Sequence, residues 1–283
     1  MGDAIAHGWD ASRPALPAWS LPKDAVDRIA LPGDWPEHVT REWAFGGSTG
    51  AGARVCILDS GVEAGHPLVG DLESAVAISL GEDDEPVVEE DTEGDVSGHG
   101  TACAGIVRAL APDCVLSSVR VLGSSFTGSG GVLLAGLRYA VEQGFDVINM
   151  SLSTTKKQFA SALHEIADSA YFRRTLLVAS AHNMPVESYP WRFSSVISVG
   201  SHEEPDPLAF FYNPSPPVEF FGRGVNVEVP WLGGHRLTVS GNSFATPHLT
   251  AICALIVSKH PELTPFQLKN VLYLTATNVG GGR

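Results

Sequence analysis

The chain has 283 residues, 44% of them hydrophobic, and a formal net charge of -14 at pH 7. That length suits one large domain with a sizeable core. The acidic balance argues against a general affinity for nucleic acid or an anionic membrane surface, and no run approaches the roughly 20 apolar residues of a membrane-spanning helix.

Residues 1–38 are interrupted by Pro14, Pro17, Pro22, Pro32 and Pro36, so an irregular extension is expected ahead of a folded domain over 39–283. The first residues, Met1 to Gly8, have neither the basic start nor the apolar stretch of a secretory signal, and the expected location is cytoplasmic. Next, Val55-Cys56-Ile57-Leu58 is a continuous apolar run of buried-strand type that stops abruptly at Asp59-Ser60-Gly61. Further strand-like runs over 75–80, 115–122, 147–152, 176–181 and 196–200 alternate with helical patterns over 102–110, 132–143 and 159–170. This alternation predicts an α/β fold of three layers, a mostly parallel central sheet with helices on both faces. Between the second strand and the first of these helices, Glu82, Asp83, Asp84, Glu85, Glu89, Glu90, Asp91, Glu93 and Asp95 crowd together with no Lys or Arg, which reads as a solvated loop. Short β-structure is expected over 225–230 and 238–240, a long apolar helix after Ser243, and a last helix opened by Thr264-Pro265.

The four cysteines, Cys56, Cys103, Cys114 and Cys253, fall inside these elements without C-x-x-C spacing. They read as buried reduced thiols acting as small hydrophobes, which fits a reducing compartment.

Three short stretches carry polar groups with chemical potential. Ser240-Gly241-Asn242-Ser243 places a serine at the start of the apolar run 249–257, where free backbone N–H groups and the helix dipole favour negative charge. Asp59 ends a buried strand, the end at which open α/β sheets place their sites. Gly98-His99-Gly100-Thr101 puts a histidine at another helix start. Taken singly, Ser243 is equally an N-cap, Asp59 a turn former and His99 a structural histidine. Together they supply a hydroxyl, a carboxylate and an imidazole.

Asp59-Ser60-Gly61-Val62, the run from Gly98 to Gly105 and the run from Gly241 to His248 resemble the three signature stretches of the subtilisin-like serine proteases, the subtilases. The likeness extends from about Trp43 to Thr277 and includes Ala181-His182-Asn183, similar to the family's A-G-N. The resemblance implies a subtilisin-like fold and peptide-bond hydrolysis through an acyl-enzyme. Asp59 is then the orienting carboxylate, His99 the general base, Ser243 the nucleophile and Asn183 the side-chain donor to the oxyanion. It also implies that a peptide substrate binds as an added strand between 121–130 and 151–153, with Leu122, Gly123, Ser151, Leu152, Ser153 and His182 as binding residues.

Departures from the family pattern sharpen this expectation. Ser153 and His182 stand where the family has Gly, on the borders of the primary specificity pocket, so a narrowed pocket and a narrow specificity are expected. Leu68 follows His66-Pro67 where secreted relatives place an acid, and Leu110 runs straight into Ala111-Pro112. The tight calcium site of the family is therefore expected to be absent, and no cofactor is expected. His66, His182 and His248 have no zinc-ligand spacing. The expected function is an intracellular serine endopeptidase that processes a dedicated precursor, with a peptide or protein partner, basic residues near its cut, and no nucleic-acid or membrane partner. The alternatives are a catalytically impaired peptide-binding module and a general degradative protease.

Overall fold

The computed structural model describes residues 35–125 and 127–279, together with Ser20, Leu21 and Ala25. The chain divides into Met1–Trp35 and Pro36–Arg283. Most of the extension expected over 1–38, and residues 280–283, lie outside the described residues.

Within the second unit a short helix, α1 (Arg41–Phe45), is capped by the Thr40 side chain, which accepts from the Trp43 N–H. The strands are β1 (Arg54–Asp59), β2 (Ser74–Leu80), β3 (Pro86–Glu90), β4 (Val115–Arg120), β5 (Val147–Met150), β6 (Leu176–Ser180), β7 (Ile197–His202), β8 (Phe211–Tyr212) and β9 (Phe220–Arg223). They form one sheet in the order β3-β2-β4-β1-β5-β6-β7-β9-β8. All its pairings are parallel except the edge pairs β2-β3 and β8-β9. A separate hairpin joins β10 (Val227–Trp231) to β11 (His235–Val239). The helices are α2 (His99–Leu110), α3 (Gly130–Glu142), α4 (Ala160–Phe172), α5 (Asn242–Lys259) and α6 (Pro265–Thr275).

Strand β1 shows why its sequence reads as unbroken hydrophobe. Val55 and Ile57 join an apolar layer built with α2, α5 and α6, whereas Cys56 and Leu58 join a second layer with α3 and α4. Successive side chains point to opposite faces, so a strand buried on both sides has no polar alternation to show. Helix α5 runs through the first layer with every residue from Phe244 to Ile256 buried. It is apolar all round, which is the pattern of a core helix.

One expectation is corrected here. Residues 82–95 are not a free loop: the run turns at Asp84 and returns as β3, pairing antiparallel with β2 from Val76–Glu90 to Leu80–Pro86. Within the hairpin, Pro86-Val87-Val88 supplies the only apolar residues of an otherwise charged stretch, too few to produce a periodic signal. The edge pair β8-β9 lies in a Pro-rich region and is shorter still, two residue pairs against five.

Candidate active site

Asp59 ends β1 with its side chain fully buried. Its Oδ1 lies 2.7 Å from His99 Nδ1 and accepts from the Ser60 N–H at 2.8 Å. A carboxylate on Nδ1 holds the ring proton there and leaves Nε2 as the basic nitrogen. His99 opens α2, and the helix meets the end of β1 closely because both sides are glycine: a Cβ on Gly100 would collide with the Gly61 carbonyl. Gly98, at φ 91°, makes the left-handed turn into the helix that a side chain resists. Burial by itself lowers the His99 pKa, but the charge and hydrogen bond of Asp59, aided by Asp95, outweigh it and hold the imidazole above its ordinary value.

Asp95 is the residue that sequence reasoning misplaced. Counted there among solvated carboxylates, it is buried and accepts from Ser60 Oγ, Ser97 N and Gly98 N on Oδ1 and from Thr101 N on Oδ2, at 2.7 to 3.0 Å. Ser60 Oγ in turn accepts from the Gly100 N–H at 3.1 Å. One carboxylate thus ties the loop after Asp59 to the first turn carrying His99. The signal in the sequence was its place four residues before His99, at a helix start that lacks a side-chain cap.

Ser243 lies in the first turn of α5. Pro247, four residues later, has no N–H, so the Ser243 carbonyl is released from the helical ladder. Ser151 Oγ takes its place, donating to that carbonyl at 2.7 Å, and Cys103 Sγ approaches it at 3.7 Å. Behind Ser151, Asn149 Nδ2 donates to Ser151 Oγ at 3.1 Å and Thr250 Oγ1 to Asn149 Oδ1 at 2.9 Å. Buried polar groups paired in this way fix the serine's backbone to β5. Cys103 is fully buried, and burial, with Asp59 nearby, pushes its thiol well above the usual range, so it packs as a hydrophobe. All four cysteines are buried and free.

Asn183 Oδ1 accepts from the Asn242 N–H at 3.0 Å, and Asn242 Nδ2 reaches the Ala181 carbonyl at 3.1 Å. A Cβ added to Gly241 would meet Ser243 Oγ at 3.4 Å and Asn183 Nδ2 at 3.6 Å, so hydroxyl and amide flank one small volume. With its oxygen occupied, the Asn183 amide is left to donate through nitrogen, which suits an oxyanion.

These groups open onto a cleft of about 360 Å³ lined by His99, Asn183, Ser243, Leu122, Ser151, Leu152, Ser153 and His182, together with Thr154 and Lys156. Gly123, expected among the binding residues, is not in its lining; its N–H closes a loop onto the Thr127 carbonyl at 3.0 Å. Ser153 Oγ donates to the buried Ser188 Oγ at 3.0 Å, and Trp191 Nε1 donates to the same oxygen at 2.8 Å. His182 Nδ1 lies 3.0 Å from the Met184 N and 3.3 Å from the Met184 carbonyl oxygen.

The acidic stretch lies elsewhere. Asp91, its side chain fully buried, sits 3.1 Å from Arg120 Nε, and Glu93 reaches Arg120 Nη1 at 3.0 Å. No Asp or Glu of the described residues lines the cleft. The cation is supplied by β4, outside the run in which the sequence shows none.

A family model described as the subtilase family matches residues 50–283. The chain is 34% identical to subtilisin DY of Bacillus licheniformis over 249 residues, covering 83% of this chain and 87% of that protein. It is 33% identical to M-protease of Shouchella clausii over 245 residues, covering 83% of this chain and 61% of that one. Among solved structures, a cold-adapted subtilisin-like serine proteinase superposes with a TM-score of 0.65 at 25% identity, over 83% of this chain and 88% of the other.

Proposed function

Since the chain belongs to the subtilase family and is a serine endopeptidase, we propose that it cuts peptide bonds through Asp59, His99 and Ser243, with Asn183 and the Ser243 N–H receiving the oxyanion. The observation that carries this reading is the 2.7 Å contact between His99 Nδ1 and the buried Asp59 carboxylate, in a cleft that Ser243 and Asn183 also line. Attack of Ser243 Oγ on the scissile carbonyl transfers its proton to His99 Nε2. The imidazolium that forms is stabilised by Asp59 and then protonates the leaving amine. A water deprotonated by His99 hydrolyses the acyl-enzyme, and Ser243 is regenerated.

The finer role we propose is that of an intracellular processing protease with a narrow pocket. Ser153, pinned to Ser188, and His182 occupy the cleft wall where the family keeps glycine, and four buried free thiols suit a reducing compartment. The basic preference expected from residues 82–95 is not carried forward, because Asp91, Glu93 and Asp95 are taken up by Arg120 and by backbone donors. The proposal includes no tightly bound cation: α2 continues without interruption to Leu110, and Leu68 offers no side-chain oxygen.

Reaction with a fluorophosphonate probe tests the core of this reading, since only an activated serine reacts. Labelling of the wild type that is lost in Ser243→Ala and in His99→Ala, each still folded by circular dichroism, is the expected result. A folded wild type that neither labels nor cleaves any member of a peptide library is a binding module, and the proposal fails.

A further inference from the structure

The cleft wall beyond Asn183 has a charge opposite to that of the protein as a whole. Lys156 is the only Lys or Arg in the cleft lining, and no carboxylate accompanies it there. Its side chain is exposed, and among the described residues its ammonium has no ion-pair partner, in contrast to Lys157, which faces Glu187 at 3.5 Å. Glu187 is shared further with Arg192 at 3.6 Å. Two backbone hydrogen bonds of 2.9 Å, exchanged between Thr154 and Tyr189, join the segment bearing Lys156 to the segment bearing Glu187 and Arg192. Lys156, Lys157 and Arg192 against Glu187 leave this corner with a surplus of positive charge in a chain of net charge -14. At physiological salt the screening length is about 8 Å, so a substrate side chain at the rim of the cleft is governed by the charges next to it, and among the lining residues the only such charge is Lys156.

We propose that Lys156 is a specificity-determining residue that selects a carboxylate side chain, aspartate or glutamate, immediately before the cut. This rests on the proteolytic reading of the same cleft. Ser153 and His182 restrict the volume beside Ser243, and a short acidic side chain both fits that space and meets the free ammonium at its rim. The long flexible lysine stem lets the charge follow either acid. Ser153 Oγ and Ser188 Oγ are already bonded to each other, and Lys156 is the one cationic side chain in the lining.

The test uses internally quenched peptides that differ only before the cut, carrying Glu, Gln or Lys, assayed with the full chain at low and at high salt. An exposed charge pair of this kind is worth about a three- to fivefold preference in kcat/KM for Glu over Gln at low salt, shrinking at high salt. Lys156→Gln should bring the Glu/Gln ratio to about one, and Lys156→Glu should turn the preference toward the Lys peptide. A wild-type ratio of one, or a Glu preference that survives Lys156→Gln, overturns the assignment while leaving the protease reading intact. Absence of both cleavage and fluorophosphonate labelling removes the protease reading, and this inference falls with it.

Discussion

The two sides of the cleft are built from different materials. On one side Asp59, Asp95, His99 and Ser151 are buried or nearly so and bonded to one another or to backbone, and the positions between them are glycines that admit no side chain. On the other, Ser153, Thr154, Lys156 and His182 are half-buried or exposed, and their neighbours are loops. Groups of the first kind are held in one geometry because each unmade bond would leave a buried polar atom stranded. Groups of the second kind are free to differ without disturbing the fold. On the proposed reading, chemistry resides on the buried side and selection on the more exposed one.

If that division is right, substitutions on the rigid side should change turnover and those opposite should change choice of substrate. Asn183 stands at the border, and its replacement gives the largest effect among the predictions that follow. Asn183→Ala should lower kcat by about 10² to 10³, the size established for such a donor in subtilisins, with KM little altered. Steady-state kinetics on a neutral peptide decide the point. A change confined to KM would place Asn183 with the selecting residues and break the division as drawn.

The second prediction concerns burial within α5, the core helix whose first turn carries Ser243. His248, one turn into α5, is buried, and its Nδ1 lies 2.8 Å from the Phe244 carbonyl. Burial pushes its pKa down to about 4; the Phe244 bond opposes this, and Arg223 and His202 add to it. A histidine depressed in the folded state is stabilising above its unfolded pKa, and that stability drains away as pH falls from about 6.5 towards 4. The loss amounts to roughly 2 kcal/mol by pH 5 and roughly 3 kcal/mol in full. Denaturant titrations at pH 7 and pH 5, in a Ser243→Ala background that prevents self-digestion, should show this drop, and His248→Gln should flatten it. Equal drops in the two proteins would remove His248 as the cause.

The same division explains what was legible beforehand. Asp59, His99 and Ser243 could be read because a buried strand end and two helix starts leave local signatures, and β1, α2 and α5 stand where the apolar runs placed them. Asn183 was legible only through its resemblance to a family motif. Asp95 was hidden among neighbours of the same charge, since nothing in a run of acids separates the one that turns inward from those that face water. Lys156 was not singled out because an exposed lysine carries no local pattern. Its relation to the cleft depends on the Thr154–Tyr189 bridge, which joins segments far apart in sequence. The hairpin that holds β3 was lost because Pro86-Val87-Val88 is too short an apolar run to show a period, and the charge of Asp91 and Glu93 is met by Arg120 from β4.

Asp95 gives the smallest expected effect and the finest test of the rigid side. It touches no reacting atom, so it is a positioning residue acting through His99. Burial lowers the His99 pKa, and the Asp95 charge is one of the influences that raise it, behind the charge and hydrogen bond of Asp59. With His99 as the proposed general base, catalysis needs the imidazole neutral, so the acidic limb of kcat/KM against pH should lie above the ordinary histidine value. Asp95→Asn removes the charge while keeping one acceptor oxygen, and the limb should move to lower pH. Because the Thr101 or the Gly98 N–H then loses its partner, kcat should also fall by about tenfold, the effect of one charged hydrogen bond of roughly 1.5 kcal/mol. Stability carries the opposite sign: the raised His99 stabilises the fold fully below about pH 6.5, and this contribution fades as pH climbs through the folded value, so it too should shrink in the variant. A fall in kcat with the acidic limb unmoved would mean that Asp95 only braces the loop between Ser60 and Thr101, and that Asp59 alone sets the basicity of His99.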